Sequence, residues 1–449
     1  MPRLDPSAAD VPSRPRVALI LPYWDFWEAS VPYDLRADRE ALAAGVRSAL
    51  AVDWVDTARA DAALVLQTMA TPPGWTLEEL PDIPLVVWAA HRAGEVPAAF
   101  DHGGITAEGA TVGTPMLTSV LVRSGRPFEL VVGRVDDAPS LGRVRAALGV
   151  AAAAARLGRA RVGRIGRPPP GYDCVDTDER LLRDRTGIEV VPIEPAEVRA
   201  RYLAVSASRV RELEDETRER YDVELEGEGL ERSLRAACAL EDLVARHDLD
   251  AGAMNCHVPE IRLGPEIGVA PCFALGRSTS AGVPWTCAGD VLTAVAMLAG
   301  KLLGGAAQYH ELETLDYATE EFVLASSGEH DLAFALGARP RLVRNDWFAA
   351  DACVGACACF SAPAGPATLL AFADVGDGYR LIAAEGELTG RSFPGTATAN
   401  GAFRFASGME AWSDWCLAGA NHHASATHGA LAPAVRTLAR FLGVQAAVV

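Results

Sequence analysis

The strongest constraint on this chain is a rhythm. From residue 16 onward, short β-branched runs alternate with longer helical stretches: RVALIL, a helix over 34–49, ADAALVLQT, IPLVVWAA, a segment near 114–123, FELVVGR and an Ala-rich helix over 138–158. Strands that alternate with helices imply crossover connections, hence a parallel sheet with helices on both faces. The ligand crevice of such a sheet lies outside the C-terminal ends of its strands. Tyr23, Trp24, Asp25, Phe26 and Trp27 follow the first strand. They fall on that rim, where they either meet a substrate or seal a helix onto the sheet.

A second stretch of the same kind starts at RVGRIG near Arg161, crosses the turn RPPPGYD and continues through IEVVPI. An amphipathic helix carrying Leu230, Leu234, Ala237 and Val244 follows, then the strand AGAMNC and a helix beginning at Gly289. GRIGRPPPG lacks the G-x-G-x-x-G spacing and its prolines block helix entry, so it is no dinucleotide fingerprint. Beyond residue 309 the texture changes. PRLVRNDW, ATLLAFADV, YRLIAAEGEL and GAFRFA are short alternating runs separated by Gly, Pro and Asp, which predicts an antiparallel sheet or small barrel closed by the helix LAPAVRTLARFLGV. The expected fold is therefore two doubly wound α/β domains, over 16–160 and 161–308, and a β-rich C-terminal domain over 309–449. Residues 1–15 are polar and Pro-rich and read as a flexible leader with no apolar core of a signal peptide.

Composition narrows the function classes. Lys+Arg 41 against Asp+Glu 59 leaves a net charge of -18, which repels phosphate backbones and anionic membranes. Nucleic acid and membrane are not expected partners. Nine scattered cysteines do not form a disulfide framework, and a reduced, cytoplasmic protein is the expectation. No apolar run reaches the roughly 18 residues of a membrane span, since VLTAVAMLAGKLLGG is broken by Lys301.

Three segments hold residue types able to do chemistry. Asn421-His422-His423, with His428 five residues on, offers imidazoles, the commonest transition-metal ligands. If the segment is extended, His422 and His423 point to opposite faces and only one serves a given site. In YHELETLDYATEEFVLASSGEHD, a strand reading puts His310, Leu312, Thr314 and Asp316 on one face and Glu311 and Glu313 on the other. Asp316 is either part of a solvated edge or a ligand pointing into a cleft. Cys353, Cys357 and Cys359 lack the second knuckle of a zinc site and read as small residues filling a tight strand. There is no G-x-S-x-G elbow.

These residues resemble a known family, the L-fucose/L-arabinose isomerases, which are metal-dependent aldose–ketose isomerases. The likeness rests on MNCHVPEIRLGPEIGVAPCFALGRSTSAGVPWTCAGDVLTAVAMLAGKLLGG, on ELETLDYATEEFVLASSGEHD and on GANHHASATHG, and more weakly on ADAALVLQTMATPPGW and VGTPML. The resemblance implies two α/β domains followed by a β-rich domain, and assembly into trimers or hexamers, in which Trp24 would serve a neighbour's site. It implies a divalent cation, often manganese, held by carboxylates and a histidine. Carried over, it places Asp316 as carboxylate ligand and proton shuttle and His423 as ligand, with His422 facing away or orienting a neighbour. His330 falls close to another metal-site histidine of the arabinose isomerases.

One departure stands out. The residue two before the Asp of the Gly-Asp pair is usually a Glu, ligand and acid/base, and here the motif reads Cys287-Ala288-Gly289-Asp290. Either Asp290 takes over as catalytic group, or a carboxylate such as Glu260, Glu266, Glu313 or Glu329 fills the gap, or isomerisation is lost. The expectation is a sugar isomerase acting on a neutral monosaccharide through an enediol. The alternative is a non-catalytic sugar-binding or regulatory protein on the same fold.

Overall fold

A computed structural model describes residues 14–31, 33–337 and 339–449. Most of the expected leader, residues 1–13, lies outside the described residues. The chain divides into two compact units, one running up to Arg156 with Arg440–Leu442, the other comprising Leu157–Ala439 and Gly443–Val449.

In the first unit β1 (Arg16–Ile20), β2 (Asp53–Trp54), β3 (Ala62–Gln67), β4 (Leu85–His91) and β5 (Phe128–Arg134) form a parallel sheet in the order β2-β1-β3-β4-β5. β3 is buried at every position, as expected of a strand covered on both faces. Leu64, Leu66 and Val86 pack on one face with Val46 and Leu148 from helices Leu35–Ala49 and Ala138–Leu157. Val65 and Val87 pack on the other with Leu117 and Leu121 from helix Ala110–Arg123. This is the doubly wound arrangement that the alternating pattern predicts.

The second unit opens with β6 (Arg161–Ile165), β7 (Glu189–Ile193), β8 (Asp222–Val223), β9 (Ala251–Met254) and β10 (Trp285–Thr286), of which β10-β9-β6-β7 make a parallel sheet. The predicted amphipathic helix is Glu228–His247, with Leu230, Leu234, Ala237 and Val244 all buried. Among the described residues nine strands follow: β11 (Gln308–Asp316), β12 (Glu321–Ala325), β13 (Arg341–Arg344), β14 (Ala356–Ser361), β15 (Gly365–Asp374), β16 (Tyr379–Leu388), β17 (Ala399–Phe405), β18 (His423–His428) and β19 (Gln445–Val448). They run β19-β16-β15-β18-β11-β12-β17-β14-β13-β8, and an added β16–β17 pairing closes β16-β15-β18-β11-β12-β17 into a six-stranded barrel. The barrel is the β-rich region expected beyond 309. Cys357 and Cys359 on β14 pack with Ala270, Cys272 and Val343, small residues filling a tight core.

The element that ties sheet to barrel is the helix Val291–Gly304. It is buried throughout its first ten residues, as a helix with apolar residues on every side must be. It packs against β6, β9 and β10 on one side and β15 and β18 on the other, and ends at Gly305 in the left-handed conformation, φ 76°. Its N-terminus is thereby fixed beside the start of β18. Among the described residues no helix is long and apolar enough to cross a membrane.

Candidate metal centre and active site

Asp290 caps this helix, its Oδ1 accepting the Thr293 N–H at 2.8 Å. Its other oxygen lies 2.7 Å from His423 Nδ1, and both side chains are shut off from water. Burial works against a charged His423, yet the hydrogen bond and negative charge of Asp290, with Glu311 and Glu329 nearby, outweigh it and raise the imidazole pKa. Asp290 thus spends both oxygens on structure, one on the helix and one on orienting His423.

His423 opens β18 and pairs with Glu311 on β11. Before it the chain bends at Asn421, whose Oδ1 accepts the His423 N–H at 2.6 Å. His422 sits in that bend, outside the strand, so the expected alternation to opposite faces does not apply. The two imidazole centroids are 4.1 Å apart. One ligating atom from each of Glu311, His422 and His423 lies within 4.8 Å of the others, a metal-competent group among the described residues. Glu311 Oε1 accepts hydrogen bonds from the Tyr309 hydroxyl at 3.0 Å and the Ser327 hydroxyl at 2.7 Å. The Tyr172 hydroxyl, from the RPPPGYD turn, lies 2.9 Å from Nε2 of His422 and 3.4 Å from Nε2 of His423.

Two residues past Ser327, Glu329 is buried, and neither of its carboxylate oxygens has a hydrogen-bond partner among the described residues. Burial pushes its pKa up to about 7, Glu311 adds to the rise and His423 opposes it, so all three carry one electrostatic environment. Ala288, where the resemblance calls for a Glu, is buried with φ 54°, in the left-handed region.

The other expected site residues fall elsewhere. Asp316 stands at the far end of β11, five residues or about 17 Å along the strand from Glu311. There its Oδ2 accepts from Arg391 at 2.5 Å, so it does not join His423. The carboxylate brought to the histidines is Glu311 instead, because β11 meets β18 only over Gln308–Glu311. His330 bonds through Nε2 to the Tyr221 hydroxyl at 2.7 Å and stacks on Phe273; burial takes its pKa down to about 3. It turns toward Gly276 and is not in the ligating group. Glu260 is exposed, and Glu266 pairs with Arg199 on the surface. Glu313 follows Glu311 at a bulge between Leu312 and Thr314. His428 Nε2 donates to the Phe334 carbonyl at 2.9 Å, and its ring stacks on that of Phe334. Trp24, in the first unit, stacks on Phe26 at 4.7 Å and meets Trp27 and Trp75 edge-on.

The strands that carry this group lie within a recognisable region: residues 307–445 match the family model of the L-arabinose isomerase C-terminal domain. Over 327 residues the chain is also 24% identical to the sulfoquinovose isomerases of Priestia aryabhattai and Priestia megaterium, covering 70% of this chain and 68% of each relative. Its C-terminal third is thus similar to the arabinose isomerases, and most of its length is distantly similar to the sulfoquinovose isomerases. The matched region includes the His422-His423 pair, while Ala288 lies before it. Two residues of the site, Glu311 and Tyr172, escape a reading by motif. The signal for Glu311 was its place on the strand face opposite to Asp316; Tyr172 had no local signal beyond the Pro-rich turn.

Proposed function

We propose that this protein is a metal-dependent aldose–ketose isomerase acting on a monosaccharide through an enediol. The observation that carries the reading is the convergence of Glu311, His422 and His423 within a domain that matches the arabinose isomerases. A carboxylate with two imidazoles suits a divalent ion such as Mn2+. The buried, unpartnered oxygens of Glu329 beside them fit a site built for a cation and a polar substrate, since orphaned buried carboxylates are costly otherwise. Such an ion, held by Glu311, His423 and His422, supplies Lewis acidity to the sugar's carbonyl oxygen.

The rest of the work falls to the chain. Asp290 holds His423 in one orientation and one tautomer, as an outer-shell partner does. Tyr309 and Ser327 hold the Glu311 carboxylate in place. Glu329 replaces the carboxylate missing at Ala288 and carries the proton between adjacent sugar carbons at its own oxygens. Its pKa near 7 matches that task at neutral pH. The exposed ring of Phe26 with Trp24 and Trp75 is the proposed sugar-contacting face offered to a neighbouring subunit of a trimer or hexamer.

The test joins metal analysis of the purified protein to a screen of aldoses, deoxyaldoses and a sulfonated aldose, with and without Mn2+. Aldose–ketose interconversion that stops on chelation and returns with Mn2+ is expected. Absence of bound cation together with absence of turnover on every sugar overturns the reading. Ala288 favours the second reading, a sugar-binding protein without catalysis, which requires cation and sugar binding with no interconversion.

A further inference from the structure

His423 has an oxygen partner on one ring nitrogen, Asp290, which leaves the other nitrogen to the site. His422 also has an oxygen partner on one ring nitrogen, the Tyr172 hydroxyl 2.9 Å from its Nε2. The loop that presents this hydroxyl is built to hold still. Pro168, Pro169 and Pro170 restrict the backbone, and the Tyr172 N–H donates to the Pro169 carbonyl at 3.0 Å. Asn255 Nδ2 donates to the Arg167 carbonyl at 2.7 Å, pinning the loop to the end of β9. Asn421 Nδ2 donates to the Cys174 carbonyl at 3.2 Å, while its Oδ1 accepts the His423 N–H. One asparagine thus ties the Tyr172 loop to the His-His bend. The loop follows β6, at the C-terminal edge of a parallel sheet, where such folds place ligand contacts.

We propose that Tyr172 is a positioning residue of this site, holding the His422 ring in one orientation and one tautomer as Asp290 holds His423. The proposal rests on the reading of Glu311, His422 and His423 as cation ligands. The tyrosine's 3.4 Å approach to His423 is at the limit of a hydrogen bond, so the 2.9 Å contact to His422 is the one that does the holding. A histidine ligand whose outer nitrogen is fixed offers its lone pair in one direction; when the outer partner is lost, metal affinity falls about 10–100-fold.

The test compares wild type with Tyr172→Phe, a change that keeps the ring and removes only the hydroxyl. Ring-nitrogen NMR of the full chain labelled with 15N-histidine reads the tautomer, and Mn2+ titration reads the affinity. We expect one His422 tautomer in wild type, averaged tautomers in the variant, an Mn2+ affinity about 10–100-fold weaker, and an unchanged His423 signal and thermal midpoint. A variant with the wild-type His422 tautomer and Mn2+ affinity within about twofold overturns the proposal, since it falls below the range for a lost outer partner. If wild type takes up no Mn2+, the ligand reading fails, and an unaltered His422 signal in the variant then removes the role of Tyr172 as well.

Discussion

Two buried polar clusters in the second unit look alike in composition and differ in how they are satisfied. Arg277, on the helix Cys272–Ser280, donates from Nε to Glu241 at 2.7 Å and from its terminal nitrogens to Glu216 at 2.9 and 3.2 Å. Glu241 in turn accepts from Arg209. Around Glu311, His422 and His423, by contrast, Glu329 is buried with both oxygens bare among the described residues. A network that closes on itself is architecture. One that leaves buried acceptors unpaired gives up stability for something outside the chain, which is where proteins depart from their own packing rules.

The contrast can be broken by substitution, and the largest effect is expected at Glu311. Glu311→Ala should weaken cation binding and lower turnover about 10³-fold or more, because a cation's stabilisation of developing charge is worth several kcal/mol; steady-state kinetics with added Mn2+ check this. Glu329→Gln should lower kcat about 10²–10⁴-fold, the worth of a general acid/base, while denaturant unfolding shows stability unchanged or improved, since a neutral amide replaces a buried acid. A loss of stability without a loss of rate would move Glu329 into the architectural class.

Arg277→Met should do the reverse. It takes the buried arginine from Glu216 and leaves Glu241 with Arg209 alone, and should cost about 3 kcal/mol of unfolding free energy, the low end for a broken buried pair because Glu216 is partly exposed and Glu241 keeps a partner. Mn2+ affinity of the folded protein should not change. The smallest effect is expected at Asp316. It is tied to an exposed arginine at a hairpin end, so Asp316→Asn should leave kcat and cation affinity as they are, and a large loss there would restore Asp316 to the site.

Asp316 and Glu311 also mark where a reading from sequence stops. The α/β rhythm was legible because burial on both faces writes itself into continuous apolar runs such as ALVL in β3, and the barrel because half-buried strands alternate. The family likeness directed attention to β11 and to His423, which the structure pairs across adjacent strands. Which end of β11 faces His423 depends on pairing with a strand more than a hundred residues later, and no local pattern records that register. His422 joined the group because Asn421 starts a bend, which delays the strand by one residue. Tyr172 lies 250 residues from His422, and a tyrosine in a Pro-rich turn has many ordinary explanations. Asp290 was visible as a candidate from its Gly-Asp motif, whereas its double use, as a helix cap and as the partner of His423, depends on a contact across 133 residues.

The central claim, that Glu311, His422 and His423 form one cation site, is tested most directly by counting bound Mn2+ per chain by electron paramagnetic resonance in wild type, Glu311→Ala and His423→Ala. The account predicts one tightly held ion per wild-type chain and none in either variant, each still folded by circular dichroism. Equal Mn2+ binding in all three proteins, or none in wild type, would contradict it.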